Sequence, residues 1–134
     1  MTIAAMVSGL ATRVSTIPSI GNRAFAYQPE QINPPTAICA VVGVEYDEDF
    51  SGIYSVDLGV LVIVSRADAR SGQTALYDYL ESTGTSSVRA AVDTEPTLSS
   101  SAADCRVLSA GSPQVITVGG QEYLGVEFIC RAMS

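Results

Sequence analysis

No histidine occurs among the 134 residues, so the commonest general base of enzyme active sites is missing. Serine is abundant, but no Gly-x-Ser-x-Gly elbow surrounds any of it. The chain has no lysine either, so a Ser–Lys pair cannot exist. Cys39, Cys105 and Cys130 are far apart and form no Cys-x-x-Cys pair; a zinc site would need thiolates and carboxylates alone. Each cysteine lies in or beside an apolar stretch. They read as three buried, reduced thiols without metal, which points to a reducing compartment. Gly111, Gly119 and Gly120 do not lead from a strand into a helix, so they read as turn residues rather than a phosphate cradle.

Carboxylates are the remaining chemistry. Asp47, Glu48 and Asp49 are consecutive, with Glu45 just before them and Phe50 just after. A glycosidase pair would come from separate positions in a cleft with aromatic sugar platforms, and there is no tryptophan here. The spacing Asp47-x-Asp49-x-Ser51-Gly52 matches the start of an EF-hand loop. The match fails at the twelfth position, where Leu58 stands in place of the bidentate glutamate, and the flanking residues read as strands. The run therefore reads as a solvated hairpin tip, with weak divalent-cation binding as the alternative. Phe50, an aromatic at a polar tip, marks Asp47–Phe50 as a candidate contact loop. No catalytic residue, cofactor or metal ligand is assigned, and the chain is expected not to be an enzyme.

The elements that must position this loop follow from pattern. Residues 2–17 place Ile3, Val7, Leu10, Val14 and Ile17 at steps of four and three, with Met6 beside them, which predicts an amphipathic helix stopped by Pro18. Its stripe reads as core, with an intersubunit seam as the alternative. Arg23–Tyr27 fits a short strand, and Pro34-Pro35 sets an extended approach to residues 36–46, apolar on both faces at their centre and so expected inside a sheet. After the acidic loop, residues 53–66 form a long strand with Tyr54, Val56, Leu58, Val60, Val62 and Val64 on one face. The two strands make an antiparallel hairpin.

Helices are predicted over 71–82, capped by Ser71, and over 87–93, capped by Ser86 or Ser87. Strands follow at 105–110, 114–118 and 121–131. Gly119-Gly120 supplies a two-residue primed turn between the last two. The sum is one α+β domain over residues 1–134: a single, mainly antiparallel sheet with helices packed on one face.

Composition narrows the function class. Hydrophobic residues make up 47% of the chain and charged ones 16%, against roughly 25% in ordinary domains, so burial by self-association is expected, with a small monomer carrying a Ser/Thr-rich surface as the alternative. The net charge is −7 and all seven cations are arginines. An acidic chain without a basic cluster is poorly built to grip phosphates, although negative walls can surround DNA without binding it. No run of 18 apolar residues predicts a membrane span, and no basic n-region predicts a secretory leader.

Several segments, taken in order, resemble tail terminator proteins of long, non-contractile-tailed phages, in the branch common among phages of actinobacteria. They are the N-terminal amphipathic helix, Ile32-Asn33-Pro34-Pro35 opening the first long strand, and Tyr46 to Phe50. VSRADARSGQTALYDYLESTGTSSVRAAVDTEPTL at 64–98 and VGGQEYLGVEF at 118–128 complete the set. One departure is Ser99-Ser100-Ser101, where glycines are expected after Leu98.

The resemblance implies a non-catalytic virion protein at the tail–neck junction, assembled in the host cytoplasm. It implies a ring, typically a homohexamer, that caps the head-proximal end of the tail tube, stops its polymerisation and presents a surface to the head–tail connector. The implied partners are further copies of the chain, the tail-tube protein and the connector, with DNA passing through unbound and no membrane. Asp47, Glu48, Asp49 and Phe50 would then line the ring or its lumen. The competing readings are a head-closure or other neck protein, a tail-tube subunit, and a small monomeric binding domain.

Overall fold

The computed structural model describes residues 2–27, 29, 31–46, 54–66, 70–95, 97–98 and 104–133, with the side chains of residues 70, 71 and 73 left aside. Among them are three helices, α1 (Ile3–Val14), α2 (Arg70–Leu80) and α3 (Val88–Asp93). Six strands accompany them: β1 (Ala24–Phe25), β2 (Thr36–Tyr46), β3 (Tyr54–Arg66), β4 (Asp104–Ala110), β5 (Gln114–Val118) and β6 (Gln121–Met133).

The sheet order is β1-β2-β3-β6-β4, with β5 also on β6. Only the β1–β2 pairing is parallel; β2–β3, β3–β6, β4–β6 and β5–β6 are antiparallel. Met133 pairs with Ser55 on one side and Asp104 on the other, and Gly125 likewise with Ile63 and Gln114. β4 and β5 therefore run end to end along the outer edge of β6. Gly111 keeps contact across the break between them, its N–H donating to the Glu127 carbonyl at 2.8 Å.

Alternation decides which face is core. Val56, Leu58, Val60 and Val62 of β3 and Val126, Phe128, Cys130 and Ala132 of β6 are buried with Ala37, Cys39 and Cys105. They share one cluster with Met6, Leu10 and Val14 of α1, Leu76 and Tyr79 of α2, and Val88 and Val92 of α3. All three helices thus cover the same face. The stripe of α1 is core, not a seam: Met6, Leu10 and Val14 are fully buried.

Local chemistry fixes the helix ends. The Thr2 hydroxyl caps α1, accepting from the Ala5 N–H at 3.0 Å, and Ser87 caps α3 through the Ala90 N–H at 3.1 Å. α1 stops at Val14, three residues before the expected end. The Thr16 and Ile17 N–H groups bond the carbonyls of Arg13 and Val14, three residues back, so the chain tightens before it reaches Pro18. Ile17 remains fully buried just beyond the helix. α2 spans Arg70–Leu80, and its expected cap, Ser71, is among the side chains left aside. Off the stripe, Arg13 ties α1 to α3: its Nε donates to the Ala91 carbonyl, in the last turn of α3, and its guanidinium meets Glu95, both at 3.1 Å.

One expectation is corrected. β2 lies inside the sheet only at its start. β1 covers Ala37 and Ile38, and along residues 39–46 no described strand pairs with the outer side of β2.

The three cysteines, distant in sequence, converge on the core face. All are free and buried. Burial pushes the Cys39 thiol up from 9.0 to about 12. Cys130 is pushed up chiefly by a hydrogen bond with the Cys105 thiol and then by burial. Thiols that stay protonated in the fold but ionise in the unfolded chain make stability fall as pH rises above about 9, towards 12. At pH 8 we expect a thiol reagent to leave the native protein unlabelled and to modify all three cysteines in denaturant. Rapid native labelling would contradict this packing.

Candidate assembly surface

The sheet face opposite the helices is the surface from which a site has to be built. Its cross-strand rows can be followed through the register. Gly43, Asp57, Arg131 and Arg106 lie in one row; Glu45, Ser55, Met133 and Asp104 lie in the next. The first row is charged, and both of its arginines are paired, one within the row and one with the next. The Arg131 Nε donates to the Asp57 carboxylate at 3.0 Å, and Arg106 meets Asp104 at 3.4 Å. Both pairs are partly or largely exposed, so each contributes about 0–1 kcal/mol to the fold.

Away from that end the face turns apolar. Ile38 and Leu61 pair, and Ile129 pairs with Gly59. Ile63 is fully buried yet lies outside the helix-side cluster, as does Tyr123. Gly125 explains part of this. A side chain there would collide with Ile116 of β5, so glycine lets Ile116 lie across the sheet beside Ile63. At Gly59, Val42 leans in from β2 and Glu127 from β6, with atoms 2.9 Å and 3.5 Å from where a Cβ would stand.

The sequence-predicted contact residues Asp47, Glu48, Asp49 and Phe50 lie outside the described residues. The strand ends that carry the loop are described. Tyr46 and Tyr54 are register partners with ring centroids 6.4 Å apart, and Tyr46 is 69% exposed. Glu45 stands exposed beside them, opposite Ser55.

Large apolar side chains are exposed at both edges of the sheet: Val41 and Val42 on β2 at one, Leu108 on β4 and Val115 on β5 at the other. The register shifts between Val41 and Gly43 and again between Val107 and Ser109. Val42 and Leu108 are therefore the extra residues of two bulges, which a pattern reading of alternation misses. Sequence reasoning overlooked this edge pair, and also Arg106, because nothing in a strand's composition says which side lacks a neighbour.

Grooves offer little chemistry. One of about 260 Å³ between α2 and β5 is lined by Leu76, Tyr77, Pro113, Gln114, Val115 and Leu124, with no carboxylate among them. Another of about 250 Å³ holds Arg89, Asp93, Asp104 and Arg106, but these close on each other as Arg89–Asp93 and Arg106–Asp104, both at 3.4 Å. Among the described residues no three His, Cys, Asp or Glu side chains are grouped to hold a metal ion. No described helix is long and apolar enough to cross a membrane.

No protein-family model matches the chain, and no curated protein matches it in sequence. The surface itself therefore carries the functional argument, together with the ordered segments of the sequence. What it supplies is one open sheet face, charged at one end and mainly apolar apart from Glu127 towards the other, and two edges with exposed apolar residues.

Proposed function

We propose that this chain is a structural phage protein, a tail terminator whose copies form a ring, typically of six, on the head-proximal end of the tail tube. The observation that carries the proposal is one-sidedness. Every described helix packs on one face of the sheet, leaving the opposite face and the sheet's edges, where Val41, Val42, Leu108 and Val115 stand exposed, for contact with something else. The resemblance carried by the ordered segments from Ile32-Asn33-Pro34-Pro35 to VGGQEYLGVEF supports this reading, and the α+β fold agrees with the one it implies.

Termination follows from asymmetry. A tube of stacked rings keeps growing while each ring's upper face repeats the site that the next ring recognises. A ring that binds the tube below and presents a different face above stops growth and leaves a seat for the connector. A heterologous contact repeated around a closed axis gives such a ring. The low share of charged side chains suits a surface largely consumed by neighbours.

The test is a phage lacking this protein, with tails measured by electron microscopy. Tails of variable, extended length that fail to join heads are expected; uniform tails joined to heads would overturn the assignment.

The acidic run has its own test within this reading. Replacing Asp47, Glu48 and Asp49 together by serine should leave thermal stability within about 1 kcal/mol and impair tail joining or DNA delivery. The reason is that carboxylates lining a ring repel the passing polyanion and attract basic partner residues. Unfolding of the triple variant would make the carboxylates structural; full infectivity would remove them from the mechanism.

A further inference from the structure

We infer that neighbouring copies join edge to edge, β4 of one chain adding antiparallel to the uncovered side of β2 in the next, with Arg106 facing the neighbour's Glu45. This rests on the ring reading above and supplies its interface.

Four observations lead there. The first is direction. β2, β3, β6 and β4 are joined by three antiparallel steps, so β4 runs opposite to β2. A second copy set beside β4 in the same orientation presents its β2 antiparallel to it, and the alternation continues unbroken.

The second is extent. Among the described residues only β1 pairs with the outer side of β2, and only at Ala37 and Ile38. The uncovered stretch, residues 39–46, lies level with β4. Cys39 is reached from Ala110 through Val60 and Phe128, and Glu45 from Asp104 through Ser55 and Met133. The free stretch of one edge therefore matches the length of the other and lies within two residues of its height.

The third is side-chain character. Edge strands are commonly protected by charged side chains, above all lysine, or by bulges; this chain has no lysine, and the bulge at each of these edges leaves apolar side chains exposed. Val41 and Val42 are exposed at one edge and Leu108 at the other, each at its bulge, and the two bulges lie at similar heights across the sheet.

The fourth is charge. Glu45 and Arg106 both belong to the open face and stand within one row of each other. With the copies level, Glu45 is beside Asp104 and diagonal to Arg106. A slide of two residues puts Arg106 opposite Glu45, carries Asp104 past it, and keeps every side chain on its own face. The Arg106 side chain is 77% exposed, so its contact with Asp104 leaves donors free for a second carboxylate.

The experiment uses the full chain with isolated tail tubes, and compares wild type, Glu45→Arg, Arg106→Glu and the double reversal. Circular dichroism checks the monomers, whose folds should be unchanged because both positions are exposed. Each single reversal should raise the protein concentration for half-assembly ~10-fold, and the double reversal should bring it back towards wild type. In wild type, hydrogen exchange should slow on assembly in residues 39–46 and 104–110. Single reversals that assemble like wild type, a double reversal no better than either, or protection elsewhere on the chain would overturn the edge interface. If wild-type rings form with these signatures on phage tubes but removing the protein leaves tail length unchanged, the interface stands and the terminator assignment falls.

Discussion

Replacing Leu10 with aspartate is expected to abolish the folded state. Leu10 is fully buried at the centre of the α1 stripe, in the cluster that joins all three helices to the sheet. Cutting such a leucine back to alanine costs about 3–5 kcal/mol through lost burial and the cavity left behind. A carboxylate adds several more, roughly, because it enters the core with no partner. A domain of this size is stable by only about 5–15 kcal/mol, so the substitution removes most or all of the margin. Far-UV circular dichroism and a denaturant titration read the result. Leu10→Met, which keeps volume and apolarity, should stay within about 1.5 kcal/mol of wild type. A soluble Leu10→Asp protein with a near-wild-type melt would place the stripe in solvent.

Gly125→Val is expected to be nearly as damaging for a different reason. A Cβ at this position would stand 2.6 Å from the Ile116 Cδ1 and 2.9 Å from the Val62 carbonyl oxygen. The isoleucine tip can swing away, but the carbonyl belongs to the β3–β6 ladder and moves only if the two central strands part. We expect a loss of about 3 kcal/mol or more, measured as a lowered denaturant midpoint, with Ile63 more accessible to solvent. Gly43 is the control. Nothing lies within 4 Å of a Cβ there and its φ needs no glycine, so Gly43→Ala should change stability by less than about 0.5 kcal/mol. Equal stability of the two variants would mean that the close approach at Gly125 is absent.

These two positions also mark what a sequence can disclose. The α1 stripe was legible because helical periodicity reports burial directly, and Leu10 sits where that pattern puts it. The β5–β6 turn was legible because Gly119 and Gly120 are permissive residues between two alternating runs; their φ values of 60° and 81° are those of a primed turn. Ser87 announced its helix by chemistry that acts within three residues.

Gly125 gave no comparable signal. Its role depends on Ile116 folding across it from the neighbouring strand, and on the backbone of β3 beneath, a long-range coincidence. β2 was misjudged for a related reason. An apolar strand reads the same whether its second side meets another strand of the chain or stands open, so Val41 and Val42 suggested an interior position that the pairing does not give them. The meeting of Cys105 with Cys130 likewise follows from register, which spacing alone does not set. Charge density and an aromatic at the tip single out Asp47–Phe50, which lie outside the described residues. The neighbouring features, Glu45, Arg106 and the two bulged edges, emerge only when strands are aligned.

Self-assembly is the claim on which the rest depends, and mass is its most direct reading. Native mass spectrometry should be run on the purified chain, and on the chain released intact from tail tubes. A single closed species is expected from the tubes at an integral multiple, typically six, of the 14.0 kDa chain mass. A protein that stays monomeric at every concentration, and is recovered from tubes only as single chains or not at all, would contradict it.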